Sequence, residues 1–237
     1  MNAYITYVCS DNFIPGVIAL YNSVRLSNCN HDFIVLVTDD VSEESRDILN
    51  QKELKIIDAD KIYYNGKNKD KILDRYGKVD QSWKMFTKIN IWKQTEYSKL
   101  IYLDADTLVL KNIDELFEID ELGAVLGGSV MLNYSGIEAG VLVTEPNITT
   151  YNNIIDALES DSYDIKMSDQ SFLNDYFSKH GIINHIPETF NRMWKKNRNP
   201  GGSSIFHFNG SKPWIEPSSL DNNSLSLWRH FYESNHS

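Results

Sequence analysis

Hydrophobic and polar positions trade places in two rhythms over the first sixty residues. Residues 4–8 are a short run of aromatic and β-branched side chains, which predicts a strand. Ser10, Asp11 and Asn12 follow as a turn with capping candidates, and Pro15 suits the first turn of a helix. Val17, Leu20, Tyr21 and Val24 then fall at i, i+3, i+4 and i+7, one face of an amphipathic helix. Residues 33–37 predict a second strand and residues 54–57 a third. Between them Ser42, Glu43 and Glu44 open a second helix with acids in its first turn. Strands alternating with helices at this spacing predict an α/β, Rossmann-like fold, with a parallel sheet covered on both faces.

The rhythm breaks over residues 60–80, where Asp60, Lys61, Asn65, Gly66, Lys67, Asn68, Lys69, Asp70 and Lys71 crowd together. A solvated surface insertion is expected, with a mobile lid over a ligand as the alternative. Met85, Phe86, Ile89 and Trp92 restore helical spacing, and residues 99–103 form a strongly apolar strand running into Asp104-Ala105-Asp106-Thr107. Residues 113–117 predict a short helix, 124–126 and 140–143 strands, and 148–158 and 172–177 helices. Beyond about residue 180 the pattern is irregular until residues 225–232 offer a terminal helix. No stretch reads as a linker, so one continuous domain is expected over residues 1–237.

Composition narrows the function classes. The 237 residues are 41% hydrophobic and 24% charged, ordinary for a folded chain with a sizeable core. Lys and Arg number 23 against 33 for Asp and Glu, a net charge of −10, which argues against a broad nucleic-acid surface. No apolar run approaches the roughly 20 residues of a membrane span. No basic segment precedes a long apolar stretch at the N-terminus, so no signal peptide is expected. Cys9 and Cys29 make neither a disulfide framework nor a zinc quartet. These features predict a reduced, cytoplasmic, acidic protein.

The most informative tripeptide is Asp104-Ala105-Asp106. In extended chain, positions i and i+2 project to one side, and two like charges held close are destabilising unless something cationic joins them. A divalent metal answers that need, since hard oxygen ligands suit magnesium or manganese. The competing reading, one Asp capping a turn and the other solvated, stands about level with it. Two enzyme classes place such a pair after a buried strand. One is the haloacid-dehalogenase-type phosphatases, whose D-x-D-x-T motif is approached by Asp104 and Asp106 in the stretch Leu103-Asp104-Ala105-Asp106-Thr107, with Asp104 as nucleophile. That motif normally sits on a first strand, whereas about a hundred residues precede it here. The other is glycosyl transfer from a nucleotide sugar.

An ordered chain of motifs favours the second. They are Tyr4-Ile5-Thr6-Tyr7-Val8-Cys9-Ser10-Asp11, Phe86-Thr87-Lys88-Ile89-Asn90-Ile91-Trp92, Asp104-Ala105-Asp106-Thr107-Leu108-Val109-Leu110 and Asn112-Ile113-Asp114-Glu115-Leu116-Phe117. Gly140-Val141-Leu142-Val143, Asp169-Gln170 with Leu173-Asn174, and His207-Phe208-Asn209-Gly210-Ser211-Lys212-Pro213-Trp214 complete the set. In this order the sequence resembles the family 8 retaining glycosyltransferases, and in particular their glycogenin-like members.

The resemblance implies a GT-A fold with a mixed central sheet. Residues 1–110 would form its nucleotide-binding half, and 111–237 the acceptor and sugar half with the C-terminal helix. It implies that Thr6, Tyr7, Val8 and Phe13 grip the nucleoside of a UDP-sugar donor. Lys88, Asp104, Ala105, Asp106, Gly140, His207, Gly210 and Lys212 complete the donor site. Asp104, Asp106 and His207 would hold Mn²⁺ or Mg²⁺, the imidazole tilting the choice toward manganese. Metal and Lys212 would then stabilise the charge on departing UDP. Asp169, Gln170 and Lys88 are the implied catalytic residues. Ser168 is an N-cap candidate for the helix of Phe172, Leu173, Tyr176 and Phe177, which leaves Asp169 and Gln170 on its first turn. On spacing alone Lys88 fits a solvated helix face as well as a donor contact. A covalent intermediate and same-face attack both stay open.

Four departures limit the carry-over. The last signature is one residue short between Gly210 and Lys212, Ser10 replaces an asparagine, and Glu138-Ala139 stands where glycogenin-like sequences carry Asn-Ser. Residues 187–206 lack a tyrosine-bearing segment for self-glucosylation, which implies a separate glycan, protein or small-molecule acceptor; Trp194, Lys195, Lys196 and Arg198 are candidates for its site. The expected activity is transfer of a hexose, glucose by default. A phosphatase and a catalytically silent UDP-sugar-binding protein are the alternatives. Leu225, Leu227, Trp228, Phe231 and Tyr232 are expected to pack on the core, with a homodimer or a membrane contact as the other options.

Overall fold

A strand that is apolar on both faces is stable only where both faces are covered. β1 (Asn2–Val8) is accordingly buried from Ala3 onward and lies inside the sheet, parallel to β2 (Asp32–Val37) on one side and β4 (Lys99–Leu103) on the other. The computed structural model describes residues 1–67, 81, 83–129, 133–181 and 183–234. β3 (Lys55–Asp58) extends the parallel half beyond β2. The sheet turns mixed past β4, where β7 (Tyr134–Thr144) runs antiparallel to both β4 and β6 (Gly123–Ser129). β8 (Asn184–Ile186) closes the order β3-β2-β1-β4-β7-β6-β8.

The predicted helices α1 (Ile14–Leu26, Pro15 in its first turn) and α2 (Glu43–Asn50) form as expected. Ser42 Oγ caps α2 by accepting from the Ser45 amide at 3.2 Å. The helix expected from Met85, Phe86, Ile89 and Trp92 is different in kind. One turn of α-helix, α3 (Trp83–Phe86), tightens into a 3-10 helix over Thr87–Lys93. Side chains bonding to the local backbone account for this: Thr87 Oγ1 donates to Trp83 O at 2.7 Å, and Asn90 Nδ2 to Thr87 O at 2.8 Å. Residues 60–67 bear out the solvated surface expectation only in part: Asp60, Asn65 and Lys67 are exposed, but apolar neighbours turn inward. Ile62 and Tyr64 are buried, and Lys61 pairs with Asp39 and Asp40. Residues 68–80 of that expectation lie outside the described residues.

After β5 (Thr107–Val109) come a 3-10 helix (Asp114–Glu118), then α4 (Ile148–Glu159) and α5 (Asp169–His180). The stretch read as irregular holds β9 (Arg192–Met193) and β10 (Ile205–His207). β10 pairs antiparallel with β5 and parallel with β9 as a small second sheet. The terminal helix α6 (Asn222–Glu233) packs on α1. The buried Asn22 Nδ2 donates to Phe231 O and Ser234 O, each at 2.8 Å; Trp228 and Phe231 are buried and Leu225 and Leu227 partly buried against the core, whereas Tyr232 is exposed and stacks on Trp228. Among the described residues no helix is long and apolar enough to cross a membrane.

Candidate active site

β1 and β4 are parallel neighbours, so their carboxyl ends open on one side of the sheet. Asp104 is the first residue beyond β4. The Asp104–Asp106 segment is a turn rather than extended strand, closed by Thr107 N and Oγ1 on Asp104 O at 3.0 and 2.8 Å. Strand alternation therefore does not align the two carboxylates. They converge because β5 folds back against β10, whose His207 stands opposite Thr107. His207 Nε2 lies 3.2 Å from Asp106 Oδ1 and 3.9 Å from Asp104 Oδ2. One ligand atom from each residue falls within 4.8 Å of the others.

The ring is held from behind, with His207 Nδ1 2.9 Å from Asn191 Oδ1. An amide oxygen only accepts, so Nδ1 carries the proton and Nε2 is turned to the acids. Gly140 belongs to this packing: a Cβ there would meet His207 Cε1 at 2.5 Å and Nδ1 at 2.7 Å. The approach arises at a bulge in β7. Pairing steps from Ala124 opposite Leu142 to Val125 opposite Glu138, and Gly140 O accepts from the Asp104 amide at 2.9 Å.

Burial alone would raise the Asp106 carboxyl, but His207 and Lys212 outweigh it and hold the group below the ordinary carboxylate range. Burial likewise opposes a charged His207, and the attraction of Asp106 overrides it, raising the imidazole. Lys212 Nζ pairs with Asp106 Oδ2 and donates to Phe208 O at 3.1 Å. The shortened spacing after Gly210 thus leaves Lys212 in reach of the centre. Trp214 anchors the segment, its Nε1 donating to Asn12 O at 2.6 Å. Two acids drawing a lysine and a histidine around them is the electrostatic demand of a cation site. The donor set of two carboxylates and one imidazole fits a divalent metal.

Lys88 is buried, which overturns the solvated-face reading. Its Nζ lies 2.8 Å from Asp169 Oδ2 and 3.4 Å from Asp104 Oδ1, and donates to Ala139 O at 3.1 Å. Burial would lower the ammonium, yet the two carboxylates raise it above its ordinary value. Tyr102 Oη donates to Asp104 Oδ1 at 2.6 Å and its ring lies under Lys88 at 4.9 Å. Ser168 does not cap α5: it sits at φ 59°, and its side chain makes no capping bond. Asp169 is buried on Lys88, and Gln170 Oε1 accepts from the Ala139 amide at 3.2 Å, so neither projects freely.

These groups share a cavity of about 800 Å³. Tyr7, Val8 and Phe13 line it near the end of β1, with Ala105, Gly140, His207 and Lys212 around the acids. Thr6 is fully buried inside β1, and neither it nor Gly210 is part of the lining. The expected acceptor cluster divides. Lys195 and Lys196 line the cavity, whereas Trp194 is buried, its Nε1 on Asp221 and Ser224, and Arg198 stacks on its ring at 5.0 Å. Sequence reasoning missed Tyr102 and Asn191. Tyr102 precedes Asp104 by two positions and could have been flagged; Asn191 carries no local signal.

Residues 4–217 match the model of glycosyl transferase family 8. The chain is 34% identical over 178 residues to inositol phosphorylceramide glucuronosyltransferase 1 of Arabidopsis thaliana, covering 74% of this chain and 30% of that protein. It is 31% identical over 229 residues to glycogenin-1 of Caenorhabditis elegans, covering 90% and 50%. The chain therefore spans about a third to a half of the length of these relatives. Among solved structures, the glycosyltransferase GlyE of Streptococcus pneumoniae TIGR4 superposes with a TM-score of 0.69 at 20% identity, covering 99% of this chain and 62% of that one. That likeness speaks for the fold, a GT-A-like α/β architecture.

Proposed function

The chain belongs to glycosyl transferase family 8, and from that premise we propose that it moves a hexose, glucose by default, from a UDP-sugar to a hydroxyl of a separate acceptor. Retention of configuration and Mn²⁺ dependence are part of the proposal, as is a glycan, protein or small molecule as acceptor. One observation carries it. Asp104, Asp106 and His207 converge beside Lys88 and Lys212 on the wall of a cavity at the carboxyl ends of β1 and β4. Family membership favours the transferase over a phosphatase with Asp104 as nucleophile. The free thiols of Cys9 and Cys29 are consistent with a reducing, cytoplasmic setting.

In this reading the nucleoside lies against Tyr7, Val8 and Phe13, and the diphosphate meets the acidic centre. A divalent ion held by Asp104, Asp106 and His207 would supply Lewis-acid stabilisation to the charge on departing UDP. Lys212 exchanges its pairing with Asp106 for a phosphate oxygen. Lys88, kept protonated by Asp169 and Asp104, fixes the Asp169 carboxylate, and Gln170 is fixed by the Ala139 amide. Such fixed groups suit orientation of the sugar. The test is a donor screen by mass, with UDP-glucose, UDP-galactose and UDP-N-acetylglucosamine plus Mn²⁺. UDP release that disappears in Asp104→Asn and Asp106→Asn supports the proposal. No release and no UDP-dependent thermal stabilisation would refute it, and binding without turnover on any acceptor would mark a silent UDP-sugar binder.

A further inference from the structure

The charged side chains that line the cavity are mostly paired with one another. Five lysines line it, and three are ion-paired: Lys88 with Asp169 and Asp104, Lys212 with Asp106, and Lys196 with Glu138 at 3.2 Å. Lys84 and Lys195 have no acidic partner among the described residues. Lys84 lies by Cys9, just past β1, where its charge acts on the thiol. Lys195 lies over Gly210, close enough that a Cβ there would meet its Nζ at 2.6 Å, on the segment that carries His207 and Lys212. These two cations, one by Cys9 and one over Gly210, are the lysines of the lining left to meet an anionic ligand group.

Another part of the wall is built around a carboxylate. Glu138 is buried, yet it lines the cavity beside Gly128, Met167, Asp169 and Gln170. Its Oε1 accepts from the Gly128 amide at 3.1 Å and from Lys196, and its Oε2 has no partner among the described residues. The placement is specific. Gly127 leaves room for the side chain, because a Cβ at that position would fall 2.0 Å from Glu138 Cγ. A buried carboxylate with one oxygen anchored and one unpartnered can accept from a hydroxyl, and it repels a second carboxylate.

We propose that Glu138, held by Gly128 and Lys196, makes the part of the cavity that it lines accept an uncharged hexosyl group and exclude a uronate. The inference rests on the cavity taking a UDP-sugar. Glu138 then acts as a specificity residue, accepting from a sugar hydroxyl through Oε2. A glucuronosyl carboxylate would meet Glu138 and Asp169, while the lysines that pair with those two acids, Lys196 and Lys88, are already committed.

The experiment is calorimetric binding of UDP, UDP-glucose and UDP-glucuronate in the presence of Mn²⁺ to the wild-type chain, Glu138→Gln and Lys196→Met. Wild type should favour UDP-glucose over UDP-glucuronate by about 10- to 100-fold, the scale of one like charge at close range with solvent screening. Glu138→Gln should narrow that gap at least about fivefold by improving the glucuronate, and Lys196→Met, at an exposed lysine, should widen it. UDP alone should bind all three proteins alike. Equal wild-type affinities for the two donors, or a gap that neither substitution moves, would overturn the proposal. If neither UDP nor either donor binds the wild type, it is the UDP-sugar reading that fails.

Discussion

Asn191→Ala isolates the support of the candidate metal centre from the centre itself. Asn191 is buried, contributes no ligand, and touches the centre through a 2.9 Å bond from Oδ1 to His207 Nδ1. Truncation leaves the buried Nδ1–H without an acceptor, which costs about 1–3 kcal/mol of stability. It also frees the ring to rotate or change tautomer, and loss of such a support typically weakens a metal site about 10- to 100-fold, or about 1.4–2.7 kcal/mol. Thermal unfolding with and without Mn²⁺ separates the two effects. At a free Mn²⁺ concentration of 100 times the wild-type Kd, the ion stabilises wild type by about 2.7 kcal/mol, and the variant by only about 0.4–1.4 kcal/mol. Asn191→Asp, which still accepts from Nδ1–H, should keep wild-type affinity. A variant Asn191→Ala that unfolds earlier but gains as much from Mn²⁺ as wild type would refute the supporting role.

Three further expectations follow from other contacts. Gly140→Ala drives a methyl group into the His207 ring; it should cost about 1–3 kcal/mol in denaturant melts and abolish metal-dependent UDP release. Lys88→Met strands two carboxylates and should destabilise by about 3–5 kcal/mol. Adding Asp169→Asn should restore part of that stability in the same melts without restoring turnover, whereas two independent losses would contradict the ion pair. Burial raises the Glu121 carboxyl from 4.5 to about 6, against the bonds it accepts from Trp92 Nε1 and the Glu145 amide. The fold therefore favours its protonated form, and this contribution is fully present below about pH 4.5 and is lost as pH rises through 6. Glu121→Gln should thus raise stability at pH 7–8 by about 1–2 kcal/mol, with the advantage gone at pH 4; a constant difference across that range would contradict it.

Much of the scaffold was legible because its signals are local. The apolar runs that became β1, β2 and β4 and the spacing that became α1 needed only neighbouring residues to read. The strands β9 and β10, of two and three residues, were not legible, since such short segments have no measurable period and exist only by pairing with β5 and each other. The 3-10 geometry of Thr87–Lys93 was not legible either, since which local carbonyls Thr87 and Asn90 bond, and that Asn90 Nδ2 also reaches Asp60 O, is settled only in the packed fold.

The candidate site divides in the same way. Asp104, Asp106, His207, Lys88 and Lys212 were named from residue type and motif order, because the chemistry of a cation and diphosphate site restricts which side chains can serve. Their actual convergence came from a turn and a second sheet rather than from strand alternation, and Asn191 and Tyr102 entered through bonds no spacing reveals. Residue identity prescribes chemical capacity and local backbone preference. Burial, pairing and charge state depend on which distant segments are brought within a few ångströms, and that selection belongs to the packed fold. Lys88 illustrates the difference: its charge can be read from the chain, but its place between two carboxylates in the interior arises only when the 3-10 helix, the end of β4 and the start of α5 meet.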